Sequence, residues 1–93
     1  PYSREEIRKI IEIRAEESGI KLTESALELL TDLGEKNSLR YAVQLLAPSN
    51  EFAKLRNSDR VDVEDVKRAS EIFVDVSQSS SYLKKWEEKM LAQ

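Results

Sequence analysis

The stretch Ser38-Leu39-Arg40-Tyr41-Ala42-Val43-Gln44-Leu45-Leu46-Ala47-Pro48-Ser49-Asn50-Glu51-Phe52-Ala53-Lys54-Leu55-Arg56 decides the fold. Ser38 suits a helix N-cap, because its hydroxyl can accept from an amide of the first turn. From Leu39 to about Arg56, apolar residues recur at helical spacing on two sides. Leu39, Ala42, Val43, Leu46 and Ala53 make one side; Tyr41, Leu45, Phe52 and Leu55 make the other. Arg40, Gln44, Glu51 and Lys54 are left as a narrow polar face. A helix with so wide an apolar arc lies at the centre of its domain. Pro48 falls inside it and should kink or split it, since proline removes a backbone donor and crowds the carbonyl four residues earlier.

Helices are expected on both sides of this element. Ser3 and Glu6 have the spacing of a capping box. Ile7, Ile10, Ile11 and Ala15 follow as a helical stripe, and Ile13 lies off it, which predicts a second contact surface. Ser18-Gly19 ends the helix, with glycine in the left-handed position. Thr23 caps a second helix carrying Ala26, Leu27, Leu29, Leu30 and Leu33, with Gly34 expected to terminate it and Glu35-Lys36-Asn37 to form a loop. Beyond the central helix, Asn57-Ser58-Asp59 reads as a turn. Asp62 then caps a helix with Asp65 in its first turn and a stripe of Val63, Val66, Ala69, Ser70 and Phe73. Ser77 to Ser81 is a serine-rich joint, and Tyr82 to Leu91 reads as a last helix. Ile20-Lys21-Leu22 alternates and can pair with Val61. The expected fold is therefore all-α, with four to five helices and a minimal two-stranded pairing between residues near Lys21 and Val61.

Composition agrees. A chain of 93 residues is one domain with a small core and little room for a deep catalytic cleft. Two Gly and two Pro are too few for an all-β fold, which needs frequent turns. There is no Cys and no His, which excludes the usual zinc ligands, thiol nucleophiles, disulfides and His acid–base catalysis. The formal net charge of −3 offers no bulk attraction to nucleic acid. No apolar run approaches a membrane span, and no partner membrane is expected. Pro1-Tyr2-Ser3 has no initiator Met, which reads as a piece of a longer protein.

Motifs for chemistry are sparse. There is no Gly-rich phosphate loop and no catalytic triad material. The acidic residues fall at helix starts or on solvent faces, where capping and solvation account for them. Arg40 is more informative. It stands in the first turn of the central helix, where a cation opposes the helix dipole. Two readings fit: a phosphate drawn to the same helix end, or a surface arginine paired with Glu35 or Gln44. Val61-Asp62-Val63-Glu64-Asp65-Val66-Lys67-Arg68-Ala69 is a second landmark of short strand, cap and helix, found both in histone folds and in small AAA+ lids. Tyr82 and Trp86, beside Lys84 and Lys85, have packing and base stacking as alternatives.

Five stretches together resemble the C-terminal part of the RuvB-like AAA+ ATPases, the family of pontin and reptin and their archaeal relatives. They are Tyr2-Ser3-Arg4-Glu5-Glu6-Ile7, Ile11-Glu12-Ile13-Arg14-Ala15-Glu16-Glu17, Leu29-Leu30-Thr31-Asp32-Leu33-Gly34, Ser38 to Leu46, and Val61 to Ala69. The Ser-Leu-Arg-Tyr block is the most specific. Two positions depart from the family pattern. After Leu46 the family mostly continues with Thr-Pro and an apolar run, whereas Ala47-Pro48-Ser49-Asn50-Glu51 is more polar, which leaves open what that part packs against. Asn37 stands where Thr is frequent.

The resemblance implies a helical AAA+ lid over residues 1–76 and a C-terminal helix over 77–93 packing on the lid or on a neighbouring subunit. It implies an ATP-dependent DNA helicase as parent, a hydrolase acting in DNA recombination and repair or chromatin remodelling. The P-loop, Walker B acid, first sensor and arginine finger belong to a core that this chain lacks, so the chain should be inactive alone. Arg40 matches the second sensor, which contacts the phosphates of bound ATP or ADP. Tyr2, Ile10 and Leu39 are the expected contacts on the adenine and ribose side, with core packing as their alternative. No metal ligands are expected, Mg2+ being held by the core. The implied partners are the core of the same chain, a hexameric ring of like or paired subunits, and DNA through other domains. The implied location is intracellular: cytoplasmic for an archaeal protein, nuclear and cytoplasmic for a eukaryotic one. The rival is a histone-fold-like module that dimerises through its long central helix and binds DNA.

Overall fold

Side-chain caps set most of the helix starts. The computed structural model describes residues 2–72. Helix α1 spans Arg4–Glu17, with the full reciprocal capping box of Ser3 and Glu6. Helix α2 spans Glu24–Lys36, with the Thr23 side chain accepting from the Ala26 amide. Helix α3 is Leu39–Gln44, capped by Ser38, and α4 is Leu46–Leu55. A fifth helix, α5, covers 63–72. The expected C-terminal helix, with Tyr82 and Trp86, the boundary after residue 76, and Phe73 lie outside the described residues.

The anticipated break in the central helix occurs at Leu45, between α3 and α4. Pro48 sits in the first turn of α4, where its missing N–H costs least. It cannot donate to Gln44, and its ring disfavours a carbonyl at that position, so the ladder is interrupted one turn upstream. The split leaves residues 39–55 as two helices rather than one.

Two helices end in the same way. At the end of α1, Gly19 takes φ +70°, its amide donates to Glu16, and the Ile20 amide donates to Ala15 at 2.8 Å. At the end of α4, Asn57 takes φ +60°, its amide donates to Lys54, and the Ser58 amide donates to Ala53 at 2.9 Å. Both are Schellman closures, which satisfy carbonyls the helix end would otherwise leave open.

Gly34 does not end α2, which continues to Lys36. It is buried inside the helix, where a Cβ would come within 2.8 Å of Ile7 Cγ2 and 3.6 Å of Ala42 Cβ. Its role is to let α1 approach α2 closely, not to supply a positive φ.

The core is built from Ile7, Ile11 and Ala15 of α1, Ala26, Leu27 and Leu30 of α2, Ala42 and Leu45, Leu46 and Ala53 of α4, and Val66 and Ala69 of α5. Val61 is fully buried and forms a parallel bridge with Leu22. Its amide donates to Lys21 at 2.8 Å and its carbonyl accepts from Thr23 at 2.9 Å. The minimal pairing near Lys21 and Val61 is thus present as one bridge. Leu55 departs from its expected apolar side and is 76% exposed. Ile13, off the α1 stripe, is exposed as well.

Candidate functional site

The α1–α2 hairpin is fastened by two arginines on an acidic stripe. Arg4 donates to Glu28 and Asp32, each at 2.7 Å, and to Glu35. Arg8 donates to Glu28 at 3.0 Å and to Glu24, and lies 3.4 Å from Glu12. These are surface pairs, individually weak, but shared carboxylates make them a network that fixes the register of the two helices. Sequence reasoning passed over them. The signal was available: Glu24, Glu28, Asp32 and Glu35 recur at helical spacing opposite Arg4 and Arg8, one turn apart.

A second electrostatic joint ties the end of α4 to the start of α5. Arg56 makes a two-pronged pair with Asp65, Nε to Oδ1 at 2.9 Å and Nη2 to Oδ2 at 2.6 Å. Asp65 Oδ2 also accepts from the Asp62 amide at 2.9 Å. The hydrogen bond from Arg56, aided by that amide, holds the Asp65 carboxyl below the usual carboxylate range. Asp65 was expected on a solvated helix start, yet it is fully buried. A charge so placed requires a partner, and Arg56 supplies it. Asp62 closes the arrangement, accepting from the Thr23 hydroxyl at 3.1 Å and the Val63 amide at 2.8 Å.

Arg14, Arg40 and Arg60 are in no ion pair among the described residues, and of these three only Arg40 stands at the start of a helix. It is exposed in the first turn of α3, and among the described residues it forms no ion pair. Glu35, one partner foreseen for it, is engaged by Arg4. Arg4, Arg8 and Arg56 are all held by carboxylates, and Arg68 lies over the Phe52 ring at 5.4 Å. The backbone beneath Arg40 is nevertheless fixed, because the Tyr41 amide donates to Ser38 Oγ at 3.0 Å.

The expected apolar contacts lie on three segments of the chain. Leu39 shares the first turn of α3 with Arg40 and packs half-buried against the core. Ile10 lies midway along α1, half-buried beside the core stripe. Tyr2 precedes the α1 cap and is 58% exposed. Grooves lined by Arg14, Val43 and Asn50, and by Glu12, Gly19 and Leu22, include none of these residues. Among the described residues no group of His, Cys, Asp or Glu could hold a metal ion, and no helix is long and apolar enough to cross a membrane.

Capped short helices, one parallel bridge and an exposed arginine at the head of α3 coincide with a family match. The model of the TIP49 AAA-lid domain matches residues 10–75. The chain belongs to this family. It is the C-terminal lid of the RuvB-like, pontin-type AAA+ proteins, so the lid is part of a multidomain AAA+ ATPase whose nucleotide is bound by the core. The matched span of the lid includes Ile10, Leu39 and Arg40 and leaves out Tyr2.

Proposed function

We propose that this lid senses nucleotide for a RuvB-like, ATP-dependent DNA helicase, with Arg40 as the second sensor. The observation that carries this reading is the exposed Arg40 guanidinium in the first turn of α3, where a cation opposes the helix dipole and no carboxylate among the described residues offsets it. A planar, permanently charged fork of donors suits the terminal phosphates of ATP. In a water-poor site between lid and core it stabilises charge on the γ-phosphoryl group and registers its loss. Leu39, Ile10 and Tyr2 offer apolar surface for the adenine and ribose side. ATP and Mg2+ are held chiefly by the core, which carries out hydrolysis; the lid supplies a contact that differs between nucleotide states, as any ligand-driven rotation requires. The parent acts as a hexamer of like or paired subunits and remodels DNA or protein complexes, with DNA bound by other domains. The C-terminal residues 77–93 are assigned to packing on the lid or on a neighbouring subunit.

The test is Arg40→Ala in the full-length ATPase. The expected result is ATP turnover reduced by at least ~10-fold, the scale of one lost charge-assisted contact in a transition state. Wild-type turnover together with wild-type nucleotide affinity would rule the sensor role out.

A further inference from the structure

Tyr41 follows Arg40 about 100° further round the helix and is half-buried, whereas Arg40 is exposed. The Tyr41 hydroxyl lies 2.8 Å from Ser70 Oγ, a hydrogen bond between side chains 29 residues apart in sequence. Both residues are half-buried, so water competes only in part for the two hydroxyls. Tyr41 is also the residue whose amide is capped by Ser38. The turn that carries Arg40 is therefore held at its backbone by Ser38 and through the Tyr41 side chain by α5. The first turn of α5 is in turn tied to α2 through Thr23 and Asp62, and to α4 through Arg56 and Asp65. The α3–α4 break at Leu45 means that α4 does not continue the α3 ladder.

We propose that the Tyr41–Ser70 hydrogen bond is a positioning element for Arg40, setting where the sensor turn sits relative to α5. It rests on the sensor reading above. A short helix interrupted at Leu45 has little rigidity of its own, and a sensor misplaced by about an ångström loses much of its effect. Tyr41 touches no nucleotide in this scheme; it acts through the backbone that it shares with Arg40.

The experiment uses the full-length ATPase with Tyr41→Phe, Ser70→Ala, Ser70→Thr, the Tyr41→Phe/Ser70→Ala pair, and each hydroxyl deletion combined with Arg40→Ala. Phenylalanine keeps the ring and alanine is a good helix residue, so the fold is retained. Tyr41→Phe and Ser70→Ala should each lower kcat/KM for ATP by about fivefold, the scale of one neutral hydrogen bond. The pair should be no worse than either alone, Ser70→Thr should retain activity, and in the Arg40→Ala background neither deletion should lower it further. If Arg40→Ala impairs turnover while both hydroxyl deletions leave kcat/KM at wild type, the positioning role falls and the sensor reading stands. If Arg40→Ala itself has no effect, both fall. Additive losses, or a lowered melting temperature with unchanged kcat/KM, would assign the pair to stability alone and overturn the proposal.

Discussion

Arg56 and Asp65 form a two-pronged ion pair, with Asp65 fully buried and the Arg56 guanidinium only partly covered. The pair joins two helix ends that share no backbone hydrogen bonds of their own. Asp65→Asn keeps the shape and removes the charge. It should destabilise the chain by about 2 kcal/mol at pH 7, the usual worth of hydrogen bonds to a charged group, measured by urea unfolding.

The same carboxyl predicts an acid limb. Its pKa is lower folded than unfolded, first through the hydrogen bond from Arg56. Its contribution is thus fully present above the unfolded value of about 3.9 and is lost as pH falls through the folded value. Urea midpoints from pH 6 downward should show wild type losing more stability below about pH 4 than Asp65→Asn does. Parallel profiles would contradict this assignment.

Ser49 is fully buried in α4, and its Oγ has no hydrogen-bond partner among the described residues. It belongs to the stretch whose polarity departs from the family pattern, yet it faces the interior. Ser49→Ala removes an unsatisfied buried hydroxyl with almost no change of volume, and alanine favours the helix. The expected gain is about 1 kcal/mol. A loss of stability on thermal unfolding would show that the hydroxyl is satisfied in solution.

Gly34→Ala tests the close approach of α1 and α2. Alanine is worth up to about 1 kcal/mol over glycine in a helix, whereas overpacking costs about 1–3 kcal/mol. With Ile7 Cγ2 at 2.8 Å from the added Cβ, the second effect should win, for a net loss of about 1–2 kcal/mol. Ile7→Leu removes the branch at Cβ that causes the clash and should recover part of that loss in the double variant. Additive behaviour would mean that the helices yield elsewhere.

Asn57 holds a left-handed conformation at φ +60°. Asn57→Gly should be neutral or slightly stabilising, and Asn57→Val should cost about 1–2 kcal/mol, because a branched Cβ meets the following carbonyl there. Equal stability of the two variants would show that the α4 closure reorganises without cost.

Much of the architecture was legible in the sequence, because local patterns encode it. Ser3, Thr23, Ser38 and Asp62 mark helix starts through their own side chains. Gly19 marks an end, and Pro48 announces the break that falls at Leu45. The Lys21–Val61 neighbourhood was visible because short alternating pieces have few other uses. Arg40 could be singled out because a cation at the head of a helix runs against the dipole.

Tertiary structure alone decided the rest. Gly34 has the same local signature whether it caps a helix or admits a neighbour; only the position of Ile7 separates the two. Asp65 reads as capping and solvated, and the packing of Ser49 stays open, until the tertiary structure buries both, one with a partner and one without a partner among the described residues. Whether Arg40 pairs with Glu35 depends on a competitor, Arg4, that lies 31 residues from that glutamate in sequence. Caps and breaks are governed by hydrogen bonds within a few residues, so sequence specifies them. Burial, partner choice and the Tyr41–Ser70 contact depend on which helices meet, and that is settled by packing the whole chain at once.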